Sequence, residues 1–221
     1  MNEWIFFTQL ILIILFSFGA LKMGKEALIA LVALQALIAN LFVLKQISFL
    51  GFHVTCSDAF AIGSFLGLNL LQEYFGKESS QRAIKICFFI LFFFALMSQI
   101  HLLYLPTAQD TTHGAYTSIL SSSARLLASS LCTFFIVQKL DVYFFHWIKK
   151  MAPKFTLTTR SHLCLILSQL IDTALFSVFG LYGLVESISD IMIMSFLLKL
   201  LIIFGLTPVT LFSRKIFSHE I

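Results

Sequence analysis

The sequence predicts an all-α membrane protein, a polytopic bundle of about seven transmembrane helices, and three observations predict it. Of its 221 residues, 59% are hydrophobic and only 12% are charged, at a mean hydropathy of +0.95. Such a balance leaves a soluble domain too little polar surface to cover itself. Apolar runs of about 18 residues or more, the length that crosses ~30 Å of hydrocarbon, recur along the chain. Lys and Arg then gather in alternate connections between those runs.

The first run, Trp4 to Leu21, follows Glu3 and is followed by Lys22 and Lys25. A secretory leader carries a basic start, so this run reads as an uncleaved helix entering from outside. Further spans run from Ala27 to Leu44, Ser57 to Gln72, Ala83 to Leu105 (closed by Pro106), Ser118 to Val137, His162 to Val185 and Ile188 to Phe212. Between the fifth and sixth, Gln138 to Lys154 sets Val142, Tyr143, Phe145 and Trp147 beside Lys139, Lys149, Lys150 and Lys154. That pattern suits a helix extension lying on an anionic leaflet. The basic residues follow spans one, three, five and seven, whereas the alternate connections carry Asp110, Glu186 and Asp190 against Lys45 alone. The positive-inside rule then puts the N-terminus in the periplasm and the C-terminus in the cytosol.

Composition and motifs exclude several classes. The net charge of +4 comes from residues scattered over the loops, not from one basic stripe, so no direct nucleic-acid partner is expected. Cys56, Cys87, Cys132 and Cys164 stand singly in or beside apolar runs, without the spacing of a metal site, and read as packing residues. No HExxH, no GxSxG and no second midplane aspartate beside Asp172 is present, so no enzyme activity, metal or cofactor is expected. Phe75-Gly76-Lys77-Glu78 resembles the end of a P-loop, but Leu71 and Glu78 occupy positions where that loop needs Gly and Ser or Thr.

The polar residues inside the spans are the informative ones. Asp172 lies near the middle of the sixth run, where a carboxylate must be paired, protonated or faced by a polar cavity. Lys199 lies at similar depth on the next, antiparallel span, joined by a short loop, and is the expected charge partner. Gln169 and Thr173 flank Asp172, Asn69 and Glu73 stack at i, i+4 on the third span, and Arg125 enters the fifth. Together these make a candidate polar site for a flat heterocycle, with Tyr74 and Phe176 as candidate sandwiching rings. Gly63 and Gly67 form a small-xxx-small face through which another helix, or a second copy in a homodimer, could approach.

Gly51-Phe52-His53-Val54-Thr55, Asn69-Leu70-Leu71-Gln72-Glu73-Tyr74-Phe75-Gly76, Ala124-Arg125 with Gln138 to Val142, Asp172-Thr173 and Lys199 follow one another in an order that resembles the VUT family, the YhhQ-type queuosine precursor transporters. The resemblance covers roughly Ile47 to Lys215. It implies import of a small deazapurine base, namely 7-cyano-7-deazaguanine, 7-aminomethyl-7-deazaguanine or queuine, across a bacterial inner membrane for tRNA modification. The substrate-binding set it suggests is Asn69, Glu73, Arg125, Gln169, Asp172, Thr173 and Lys199. Asn69 departs from the Asp common in the family, which leaves hydrogen bonding but removes titration at that position. The family core of six helices implies that residues 1–22 are an extra, peripheral N-terminal helix on a transporter core of residues 26–213. On that reading residues 1–221 are a single transmembrane domain, with 138–160 a basic cytosolic interfacial loop. A carrier of another planar vitamin or nucleobase, and a substrate-binding subunit that needs an energising partner, are the alternatives.

Overall fold

The computed structural model describes residues 2–152, 154, 157–200 and 204. Helices α1 (Asn2–Met23) and α2 (Lys25–Phe42) lead into a two-stranded hairpin, β1 (Gln46–Phe49) and β2 (Phe52–Thr55). Then follow α3 (Asp58–Phe75), α4 (Lys77–His101), α5 (His113–Met151) and α6 (Leu157–Phe176), whose end widens into a π-turn, Ser177–Leu181. A last helix, α7, occupies residues 188–200 of the described chain. The protein is thus a helical membrane protein. Among the described residues three helical stretches, α1, α2 and Glu78–His101 of α4, are long and apolar enough by themselves to cross a bilayer. The others carry the polar residues from which the interior site is built.

Two reversals need no loop. Gly24 at φ 108° and Gly76 at φ 81° stand between consecutive helices. A residue without Cβ takes that backbone at little cost, so α1 hands over to α2 and α3 to α4 within one residue.

The hairpin departs from the purely helical expectation. Gln46 pairs with Thr55, Ile47 with Val54, Ser48 with His53 and Phe49 with Phe52, leaving Leu50 and Gly51 as a two-residue turn with both φ angles positive. Four residues per strand are too few to show above a helical hydropathy background, although alternation and β-branching are present. Phe49 and Val54 are buried beside Phe6, Ile13, Ala59, Met194 and Leu198. Asn2 Nδ2 donates to Ser48 O at 2.8 Å, and Leu50 N donates to Glu3 Oε1 at 3.3 Å. Glu186 N donates to Gln46 Oε1 at 3.1 Å, and His53 Nδ1 lies 3.7 Å from Glu186 Oε2. The hairpin therefore ties the N-terminus to the α6–α7 connection at one end of the bundle.

Helix α3 is the central strut. Ideal Cβ atoms at Gly63 and Gly67 would collide with Ile13 and with Val32 respectively, so α1 and α2 sit directly on the small-residue face. The face expected to receive another helix or a second copy is occupied within the chain. On the N-terminal helix Ile13, Ala20 and Leu21 pack toward this seam and Phe6 packs against Phe49 of the hairpin, while Trp4, Ile5 and Phe16 remain on its exposed side.

Helix α5 runs unbroken for 39 residues, about 58 Å at ~1.5 Å per residue and so longer than the hydrocarbon is thick. Residues 138–151, expected as an interfacial extension or loop, continue it, since no Gly or Pro intervenes before Pro153. Before α5, Asp110 Oδ1 accepts from Thr112 N at 2.7 Å and from Thr112 Oγ1 at 2.8 Å. Those donors hold the Asp110 carboxyl below its ordinary value of 3.8. A lowered folded-state pKa stabilises above the unfolded value and is lost as pH falls through the folded one. The protection of the Thr112 amide relative to its intrinsic exchange rate is therefore expected to fall only as pH drops below about 3.8, and to be absent at every pH in an Asp110→Ala variant.

Candidate functional site

The helices surround a cavity of about 240 Å³ lined from α2 through α7 and by Thr55 at the end of β2. Helical periodicity explains which residues reach it. Asp58, Ala61, Phe65 and Leu68 lie along one face of α3, and Ile191, Ser195 and Lys199 recur every four residues on α7. Helix α4 supplies an apolar wall that includes Ile84 and Leu91, and α6 with its π-turn contributes Phe176 and Leu181. No described residue of α1 lines it, so the first helix braces the site from behind.

The polar centre is a triad of side chains. Lys199 Nζ lies 2.8 Å from Asp172 Oδ2 and donates to Thr173 Oγ1 at 2.9 Å. Lys199 is 11% exposed and Asp172 28%. A lysine at this depth needs a counter-charge, and Asp172 provides one on the facing helix. The pair expected from the matching depths of two sequential spans is formed.

A second polar group was not legible in the sequence. Asp58, in the first turn of α3, accepts at Oδ1 from Ser195 Oγ at 2.9 Å. Below it Thr55 Oγ1 and Ser57 Oγ lie 2.7 Å apart. An acid opening a helix is an ordinary complement to the helix dipole. Only the partner on α7, 137 residues away, places it inside the bundle. The hairpin is the cause, because it folds back over the start of α3 and buries what the hydropathy profile puts at an interface.

The other expected site residues distribute differently. Phe176 lines the cavity. Gln169 is buried at 6% exposure, one turn before Thr173, with Oε1 unpartnered among the described residues, and it is not part of the cavity wall. Arg125 is exposed and donates from Nε to Phe179 O at 3.1 Å. It thus satisfies a carbonyl of the π-turn instead of facing the cavity, because a π-turn frees backbone oxygens that a regular helix would use. Tyr74 packs against the cluster of Leu21, Leu28, Leu66 and Leu70, away from the cavity. The side chains of Asn69 and Glu73 lie outside the described part of the structure.

Chemically the cavity offers a cationic donor in Lys199, acceptors in Asp172 and Asp58, several hydroxyls, and an apolar and aromatic wall. Among the described residues no group of His, Cys, Asp and Glu is arranged to hold a metal ion. Ligand pockets commonly run from about 300 to 1,000 Å³, so this one suits a solute of one or two rings.

Residues 55–213 match the model of a family described as "Putative vitamin uptake transporter". The "Probable queuosine precursor transporter" of Bacillus subtilis (strain 168) is 28% identical over 211 residues, an alignment covering 94% of this chain and 90% of that protein. No solved structure matches significantly.

Proposed function

The chain belongs to the vitamin uptake transporter family, and we propose that it imports a queuosine precursor for tRNA modification. The candidates are the free bases 7-cyano-7-deazaguanine, 7-aminomethyl-7-deazaguanine and queuine. The observation that carries the proposal is the cavity of about 240 Å³ with the Lys199, Asp172 and Thr173 triad on one wall and Phe176 beside it. A flat base needs such a site: in-plane donors and acceptors held in a fixed array, with apolar surface above and below the ring. Lys199 would donate to a ring carbonyl, which the base must win in competition with Asp172 and Thr173. Substrate entry therefore exchanges protein hydrogen bonds for ligand ones, with little net cost of desolvating a bare charge.

We place the protein in the bacterial inner membrane with the N-terminus periplasmic and the C-terminus cytoplasmic. Gathering of the N-terminus, the hairpin and the Glu186 connection at one end of the bundle supports that alternation, since all three fall on the outer side in the topology read from Lys and Arg. The test is complementation. A bacterium unable to make 7-cyano-7-deazaguanine and lacking its own transporter is expected to recover queuosine in tRNA when it expresses this chain and is fed the base at limiting concentration. Unmodified tRNA despite normal membrane levels of the chain refutes the assignment. Uptake into liposomes by the purified chain shows that it needs no energising partner.

A further inference from the structure

Four buried side-chain atoms lack a hydrogen-bond partner among the described residues, and two of them, Asp58 Oδ2 and Thr133 Oγ1, belong to residues lining the cavity. Asp58 is 7% exposed and Thr133 1%. A threonine hydroxyl within a helix ordinarily donates to the carbonyl one turn back. A carboxylate oxygen removed from water without a donor is among the least favourable groups a protein interior can hold. Asp172 does not share this condition, being engaged by Lys199.

Geometry relates the two acids. Ser195, which holds Asp58 Oδ1, and Lys199, which holds Asp172, are four residues apart on the same face of α7, about 6 Å along its axis. The cavity thus has a donor pole at Lys199 and, one helical turn nearer the hairpin, an acceptor pole at Asp58. A base of the guanine type carries a ring carbonyl on one side of its hydrogen-bonding edge. On the other side a ring N–H and an exocyclic amino group form a pair of parallel donors. A carboxylate accepts such a pair through both oxygens. Oδ2 has no partner among the described residues, and Oδ1 keeps a second lone pair beyond the bond from Ser195.

We infer that Asp58 is the specificity-determining acceptor of the site, taking the N–H and amino edge of the base while Lys199 takes the carbonyl. This rests on the reading of the cavity as a base carrier. It selects amino-bearing bases over analogues that lack the amino group, because the analogue leaves a buried carboxylate oxygen unmatched.

The experiment measures equilibrium binding of two probes to the purified full chain in lipid nanodiscs: 7-cyano-7-deazaguanine and the same ring without its 2-amino group. Wild type is expected to prefer the amino-bearing probe by about tenfold or more, the worth of a hydrogen bond to a charged group. In Asp58→Asn the preference is expected to fall to near unity, and in Asp172→Asn to survive. Each preference is a ratio within one variant and does not depend on how much of it folds; should Asp58→Asn not fold at all, Asp58→Glu, which keeps the charge but displaces the carboxylate, is expected to shrink the ratio, and an undiminished ratio there overturns the assignment equally. Equal wild-type affinity for the two probes, or an undiminished preference in Asp58→Asn, overturns the assignment while leaving base transport intact. Failure of wild type to bind either probe overturns both readings.

Discussion

Lys199→Met is expected to abolish uptake of labelled 7-cyano-7-deazaguanine and to destabilise the purified protein by about 3 kcal/mol. The reason is asymmetric. Removing the ammonium leaves Asp172, only 28% exposed, as an uncompensated charge, and removes a donor from Thr173. The cost sits at the low end for broken buried pairs because Asp172 keeps some access to water. Adding Asp172→Asn to Lys199→Met is expected to restore most of the thermal stability, since the orphaned charge goes with it, but none of the transport. Detergent-solubilised melting curves and whole-cell uptake read the two effects separately. Uptake by the double variant at the wild-type rate would show that the pair only sets helix register.

Gly67→Leu is expected to be the most damaging single change on the scaffold. Even a lone Cβ at position 67 would collide with Val32, with Leu28 close behind, and both belong to the cluster joining α1, α2 and α3. Forcing a larger side chain into a closely packed seam costs about 1–3 kcal/mol where helices can shift. Here α3 is also held by the hairpin and by the Asp58–Ser195 bond, so separation of α2 from α3 opens one wall of the cavity. The variant is expected to reach the membrane at reduced level and to bind no base, and Gly67→Leu combined with Val32→Ala is expected to recover part of both. Unchanged expression and melting temperature in Gly67→Leu would contradict the observed packing.

Much of the architecture was legible in the sequence because hydrocarbon permits few solutions. Long apolar runs must be helices. Asp172 and Lys199 were found by the same logic: each is intolerable alone at that depth, and one short connection makes them neighbours. Arg125, Tyr74 and Gln169 lie off the cavity wall, a placement that depth along a helix does not give because it says little about azimuth. A rotation of one residue, about 100°, moves a side chain from the cavity to a packed seam, and that rotation is set by which faces the neighbouring helices occupy.

The hairpin and Asp58 mark the boundary most clearly. By itself the sequence determined that this chain is a helical membrane protein with a polar interior, that an acid and a lysine must meet inside it, and which family its motifs resemble. Only the tertiary structure decided that eight residues between α2 and α3 pair as strands and fold over the start of α3. By doing so they carry Asp58 from an apparent interface into the bundle and set it against Ser195. The physical reason is that helix formation and membrane insertion are governed by local composition, whereas the burial of a terminal acid depends on a contact 137 residues away, which no window along the chain contains.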